Sequence, residues 1–298
     1  MKRNLWFAML ILLSVMALTL AGCGTPKLGT ADNPIVMAFV PSLDSQEVLA
    51  SGDAIAQYLQ TETGLVIETN VGTDFAAVRE AMGAGKAQIG WLNTFNYILA
   101  SEKYDVSVGL VTQRYGATSY VGQINVGADT GITTIEDLKG KVFCWVDPNS
   151  TSGYIVPRIF LQANGIDPDT DFAQTVEAGS HDQVIIAVYN GDCDAGASFD
   201  DARDNVEDDF PDVKEKVLVL ATTPEIPNDS VSFVKDFPSD MRQQIVDALL
   251  AYSETDAGKE VLNTLYDIEG LQAADDTFYD GFRADLSKAG IDIEGLAK

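Results

Sequence analysis

Between residues 35 and 113 the chain alternates short apolar runs with segments of helical period, which restricts it to a layered α/β fold. Residues 35–40, 65–70, 89–92 and 107–113 read as strands. Residues 53–60, 75–82 and 95–100 read as helices, the first stopped near Gly64 and the second ended by Gly83-Ala84-Gly85. The pattern resumes with strands at 120–128, 142–146, 174–177, 195–199, 217–221 and 231–234. Helices are expected at 155–163, 181–189, 239–252, 258–266 and 278–289. Such alternation predicts parallel βαβ units in a doubly wound layer. The acid-rich run 200–212 reads as a solvated helix face.

The most specific stretch is Asp147-Pro148-Asn149-Ser150-Thr151-Ser152-Gly153-Tyr154, set between an apolar strand and a helix. A helix start leaves its first backbone N–H groups unpaired and carries a partial positive charge. Three consecutive hydroxyls beside those groups form a cage of donors suited to a tetrahedral oxyanion. A single Ser or Thr capping the helix is the plainer reading, and this pattern alone leaves both open. It is not a Walker phosphate loop, because no Gly-Lys-Ser/Thr follows and no lysine is near.

Residues 1–22 read as a lipoprotein signal peptide: Lys2 and Arg3, an apolar stretch, then Leu20-Ala21-Gly22-Cys23. That box places cleavage before Cys23 and a lipid on it, so the protein is expected to be exported and held on the outer face of the bacterial cytoplasmic membrane. A membrane-spanning helix needs ~20 apolar residues, more than this stretch supplies. Residues 23–33 read as a polar tether. Net charge is −26 and becomes −28 once Lys2 and Arg3 leave with the signal. The sign argues against nucleic acid as partner, and an anion site here must rely on local donors. His181 is the one histidine, which argues against a zinc site; no cofactor is expected. Cys144 and Cys193 are expected to be buried unpaired thiols, with a bridge between them as the alternative.

Several ordered motifs resemble the phosphonate/phosphite/phosphate-type substrate-binding proteins of ABC transporters. They are the 147–154 stretch with Val156-Pro157, Gly72-Thr73-Asp74-Phe75-Ala76-Ala77-Val78, Ala178-Gly179-Ser180-His181, the run 187–197, and Glu225-Ile226-Pro227-Asn228-Asp229. The resemblance spans nearly the whole mature chain. It implies a type II periplasmic binding protein, with two α/β lobes joined by two crossing segments and closing on ligand in the cleft. The corresponding division is 34–121 for the first part of lobe 1, 122–237 for lobe 2, and 238–298 for the rest of lobe 1. A monomer working with a membrane ABC permease is implied.

By the same resemblance, Ser150, Thr151 and Ser152 hold the phosphoryl oxygens. His181 adds a donor from a second helix start, and a bound dianion would favour its protonated form. Asp201 and Asp229 match positions that hold the ammonium end in relatives binding aminoalkylphosphonates, with Asp200 as a possible substitute for Asp201. A carboxylate ~5 Å from a phosphoryl charge costs ~3 kcal/mol at an effective dielectric of ~20. Either a ligand amine or a proton on the oxyanion must offset it. Phe75 and Leu92 stand where relatives often carry a tyrosine, leaving Asn93, Thr94, Tyr97 and Ser42 as polar candidates in lobe 1. Three rivals are a sulfonate or other small-organic-ligand receptor of the same fold, a sensor feeding a membrane signalling protein, and an enzyme. The last finds little support, since Cys193 and His181 are the only thiol–imidazole pair and lack an orienting third partner.

Overall fold

The computed structural model describes residues 26–293 and 295. The signal peptide and Cys23 lie outside the described residues. Part of the expected tether does not hang free: the Val66 N–H donates to Gly29 O at 2.9 Å and Leu28 packs on the core.

In chain order the strands are β1 (Ile35–Phe39), β2 (Ile67–Val71), β3 (Ile89–Leu92), β4 (Ser107–Gln113), β5 (Ser119–Gly127) and β6 (Val142–Trp145). They continue as β7 (Gln174–Glu177), β8 (Ala195–Phe199), β9 (Val217–Pro227), β10 (Ser230–Phe233) and β11 (Gly270–Ala273). They build two sheets, ordered β11-β4-β10-β3-β1-β2 and β7-β6-β8-β5-β9. The expected parallel units are present, β1 with β2 and β3 and β6 with β7 and β8, but both sheets are mixed. β10 runs antiparallel to β3 and β4, and β5 runs antiparallel to β8 and β9. Each enters its sheet from the other lobe, and so arrives in the opposite direction.

The helices are α1 (Ser45–Thr63), α2 (Phe75–Gly83), α3 (Thr94–Tyr104), α4 (Val156–Ala163), α5 (His181–Asn190) and α6 (Val213–Lys216), then α7 (Ser239–Ser253), α8 (Asp256–Tyr266) and α9 (Asp280–Lys288). α1 starts earlier than periodicity suggested because the Asp44 side chain accepts from the Gln46 and Glu47 N–H groups. It ends where Gly64 takes the left-handed conformation at φ 70°. Its buried stripe of Val48, Ile55 and Leu59 covers the first sheet, each such side chain contributing about 1.5–3 kcal/mol of apolar burial. Below it, Phe39 stacks on Trp91 with ring centroids 5.6 Å apart.

The chain crosses between sheets after β4 and again after β9. Asn228 ties the crossings together: its N–H donates to Thr118 O at 2.8 Å and its Nδ2 to Ala117 O at 3.0 Å. The second crossing therefore falls at Asn228–Asp229, earlier than the expected 237/238 division, because β10 hydrogen-bonds within the first sheet. The first falls just before β5, a few residues ahead of the expected 121/122 division. Residues 200–212 do not form the expected helix face. They make turns and a short 3-10 helix (Asp204–Val206), with Arg203 bonded to Asp201 and to Val217 O. β11 was not expected at all; it is a short edge strand on β4.

Cys144 and Cys193 form a disulfide with an S–S distance of 2.00 Å, correcting the expectation of free thiols. Cys193 lies in the turn entering β8, and β8 pairs directly with β6, where Cys144 sits. The contact requires Gly196, because a Cβ there would lie 2.5 Å from Val184 Cγ1 and 3.1 Å from Cys144 Cβ.

Candidate functional site

The stretch after β6 turns back as a wide, five-residue π-type turn (Thr151–Ile155) before α4 begins. Gly153 permits this turn: a Cβ there would lie 2.3 Å from Val146 Cγ2. Ser150 caps the turn, its Oγ accepting from the Gly153 N–H at 3.1 Å. All three hydroxyl residues are essentially buried and line one small pocket between the lobes, with a cavity volume of ≈ 10 Å³.

The hydrogen bonds of these hydroxyls share one logic. Thr151 Oγ1 accepts from Asn93 Nδ2 at 2.8 Å and from the Phe95 N–H at 3.0 Å. Ser152 Oγ accepts from Tyr120 Oη at 3.3 Å. Ser150 Oγ accepts from Gly153 and lies 3.4 Å from His181 Nε2. Each oxygen is thus used as an acceptor, and among the described residues no protein acceptor takes the hydroxyl protons of Thr151 or Ser152. Hydroxyls so placed have protons left to give.

His181 begins α5 and is fully buried against Phe199, with ring centroids 4.6 Å apart. Its Nδ1 accepts from the Phe199 N–H at 3.0 Å, so the neutral ring carries its proton on Nε2, toward Ser150. Burial, reinforced by nearby Arg114, lowers its pKa to about 3. Without ligand the ring is therefore a neutral donor, and protonation by a bound dianion would have to break the bond from Phe199. The first N–H of α5 is also spent, donating to Ser42 O at 3.0 Å.

The opposite wall combines Phe75, Asn93, Tyr266 and the two crossings. Phe75 lines the pocket, whereas Leu92 is buried away from it. Asp229 lies on the second crossing, 9% exposed. Its Oδ2 accepts from Arg114 Nη2 at 2.9 Å, while its buried Oδ1 has no partner. Burial raises the Asp229 pKa, and Arg114, with a smaller pull from the Thr94 backbone N–H, brings it partway back. Burial likewise works against the charge of Arg114, but Asp229, with Tyr120 and Asp267, more than restores it and the net shift is upward.

The geometry brings together Ser150, Thr151, Ser152, His181, Asn93 and Asp229 around one pocket. It does not bring Thr94 or Asp201 there. Thr94 Oγ1 donates to Pro227 O at 2.5 Å, holding the second crossing against α3. Asp201 is corrected from an expected ammonium ligand: both its oxygens face the guanidinium of Arg203, with Nε–Oδ1 at 2.8 Å. Asp200 instead bonds Gln123. The residue sequence reasoning missed is Arg114, 3% exposed and lining the pocket. Its only sequence signal is its position, beside Tyr115-Gly116 where β4 ends and the chain turns toward the next strand.

Among the described residues no cluster suited to a metal ion occurs, and no helix is long and apolar enough to cross a membrane. The family model described as "ABC transporter, phosphonate, periplasmic substrate-binding protein" matches residues 37–279. The phosphate-import protein PhnD of Mycolicibacterium smegmatis is 31% identical over 67% of this chain and 67% of its own length. The phosphonates-binding periplasmic protein of Escherichia coli is 27% identical over 70% of this chain and 63% of its own. Among solved structures, a binding-protein component of a Pseudomonas aeruginosa ABC phosphonate transporter superposes with a TM-score of 0.79 at 24% identity, covering 87% of this chain and 88% of that one. PhnD1 of Prochlorococcus marinus, solved with methylphosphonate, gives 0.78 at 17% identity, covering 89% and 99%. These superpositions show the two-lobed type II periplasmic-binding-protein fold. The family consists of transport receptors rather than enzymes, consistent with Cys193 being locked in a disulfide. The chain belongs to the periplasmic substrate-binding proteins of phosphonate ABC transporters.

Proposed function

We propose that this receptor binds a small phosphorus oxyanion that still carries one proton, such as hydrogen phosphate or the methylphosphonate monoanion. One observation carries the reading. On one side of the pocket, hydroxyl oxygens are occupied as acceptors and their protons are free; on the other, a buried carboxylate oxygen has no partner. That pattern complements an anion with several acceptor oxygens and a single O–H donor. A sulfonate at neutral pH has no proton to offer Asp229 Oδ1, which disfavours that rival. The ligands for which the relatives are named, phosphate and phosphonates, fall in the same chemical class.

Closure follows from contacts already in place between the lobes. Asn93 donates to Asn149 O at 2.9 Å as well as to Thr151, and Arg79 Nη1 reaches Asn149 Oδ1 at 3.3 Å. A ligand held by the same loop favours this closed state, which a membrane permease then reads. We take the receptor to act as a monomer. Leu20-Ala21-Gly22-Cys23 supports lipid attachment at Cys23 on the outer face of the membrane.

Titration calorimetry with phosphate, phosphite and methylphosphonate tests the ligand class. One-site binding of at least one of them is expected, and silence from all three defeats the reading. For the anchor, Cys23→Ser is expected to release the protein from membranes; unchanged membrane association would contradict it.

A further inference from the structure

We propose that Arg114 sets the specificity of the pocket, by occupying with the chain's own cation the carboxylate that could otherwise hold a ligand's ammonium group. The inference rests on the oxyanion reading above and adds to it a selection by charge: amine-free oxyanions enter, and ligands carrying an ammonium beside the phosphoryl group are refused.

Arg114 comes from the first crossing, whereas the hydroxyl cage comes from the loop after β6. Its guanidinium is fixed from several sides. Nε donates to Tyr266 O at 2.8 Å and Nη2 to Asp229 Oδ2 at 2.9 Å. Its Cζ lies 5.0 Å from the Tyr120 ring centroid and 5.8 Å from that of Phe199. Tyr266 is itself pinned, its hydroxyl donating to Val40 O at 2.5 Å. A cation buried and held this way cannot swing out to make room for another.

The charges in the pocket then decide what it admits. Arg114 and Asp229 cancel, and His181 is neutral with Nδ1 committed to Phe199. Asp229 keeps one free oxygen, which accepts a hydrogen bond from a ligand O–H. An ammonium reaching the same oxygen would sit beside the guanidinium among buried side chains, where like charges repel more than in water. Removing the Arg114 side chain reverses both conditions. It empties the volume an aminoalkyl arm needs and leaves Asp229 without a counter-ion.

The test compares two ligands of matched size, ethylphosphonate, ending in a methyl, and aminomethylphosphonate, ending in an ammonium, at a mildly acidic pH where both phosphonates keep one proton, because the ammonium lowers the phosphonate pKa of the second. The protein purified in detergent is titrated with each, alongside phosphate. The wild type is expected to bind ethylphosphonate at least ten-fold tighter than aminomethylphosphonate. Equal or tighter binding of the amine overturns the proposal, as does failure of both ligands when phosphate binds, since size would then be the filter. In Arg114→Ala the ratio is expected to move at least ten-fold toward the amine. A folded variant with an unchanged ratio also overturns it, because a merely structural arginine would weaken both ligands alike. If Arg114→Ala does not fold, the wild-type comparison decides by itself. Absence of any oxyanion binding by the wild type defeats the underlying reading of the pocket, a result distinct from tight binding of the amine.

Discussion

The two walls of the pocket are built in different ways. The lobe-2 wall is a continuous piece of chain, Ser150-Thr151-Ser152, with His181 added from the start of α5. It is neutral and works through hydroxyl and imidazole protons. The opposite wall takes Arg114 and Asp229 from the two crossings, with Phe75 and Tyr266 from separate helices. It is charged, and its main contact is an ion pair with itself. On the proposed reading, the cage would supply affinity for an oxyanion as such, while the crossings would supply selection among oxyanions and a share of stability.

That division can be broken most sharply at the ion pair. Arg114→Met should destabilise the fold by about 3–5 kcal/mol, because it leaves a buried carboxylate uncompensated. Adding Asp229→Asn should restore much of that loss. Urea unfolding of the single and double variants checks both, and equal losses would show that the pair does not act as a unit.

The cage lobe has its own brace, the Cys144–Cys193 bridge, with a sequence separation of 49 residues. Replacing both cysteines by serine should cost about 2–4 kcal/mol in stability by the same measurement. Unchanged unfolding would contradict a stabilising role.

His181 gives a pH signature. Its folded-state pKa lies near 3, against an ordinary value of 6.5, so the unfolded chain takes up a proton that the folded ring refuses. The contribution to stability is therefore complete above pH 6.5 and lost as pH falls toward 3, by at most about 1.4 kcal/mol per pH unit. His181→Gln should flatten the dependence of the urea midpoint on pH in that window. A slope unchanged by the substitution would show that another group is responsible.

Smaller effects separate the cage from its surroundings. Ser150→Ala combined with Thr151→Ala should weaken oxyanion binding at least ten-fold, about 1.4 kcal/mol, in calorimetry. Asp201→Asn should change affinity by less than about two-fold, since the carboxylate lies outside the pocket on Arg203. A large loss there would return Asp201 to the site.

What the sequence revealed follows the same division. The strand, the three hydroxyls and the following helix are consecutive, so periodicity and helix-start chemistry expose them together. The lobe-2 α/β units were legible for that reason. Arg114 was not, because its role depends on meeting Asp229, 115 residues away, and no local pattern records that meeting. The same holds for Asp201, whose partner two positions on was hidden by a fold-back that charge patterning read as helix. Cys144 and Cys193 looked separate until strand order placed β6 beside β8. β10 looked like part of lobe 2 because crossing points are set by sheet pairing rather than by composition.

The most direct test of the central claim is a calorimetric titration of the wild-type protein with phosphate and with sulfate at pH 7, under identical conditions. The two ions share size and shape, but only phosphate retains a proton for Asp229 Oδ1. The account predicts one-site binding of phosphate and at least a hundred-fold weaker binding of sulfate, ~2.7 kcal/mol. Sulfate bound as tightly as phosphate would contradict it.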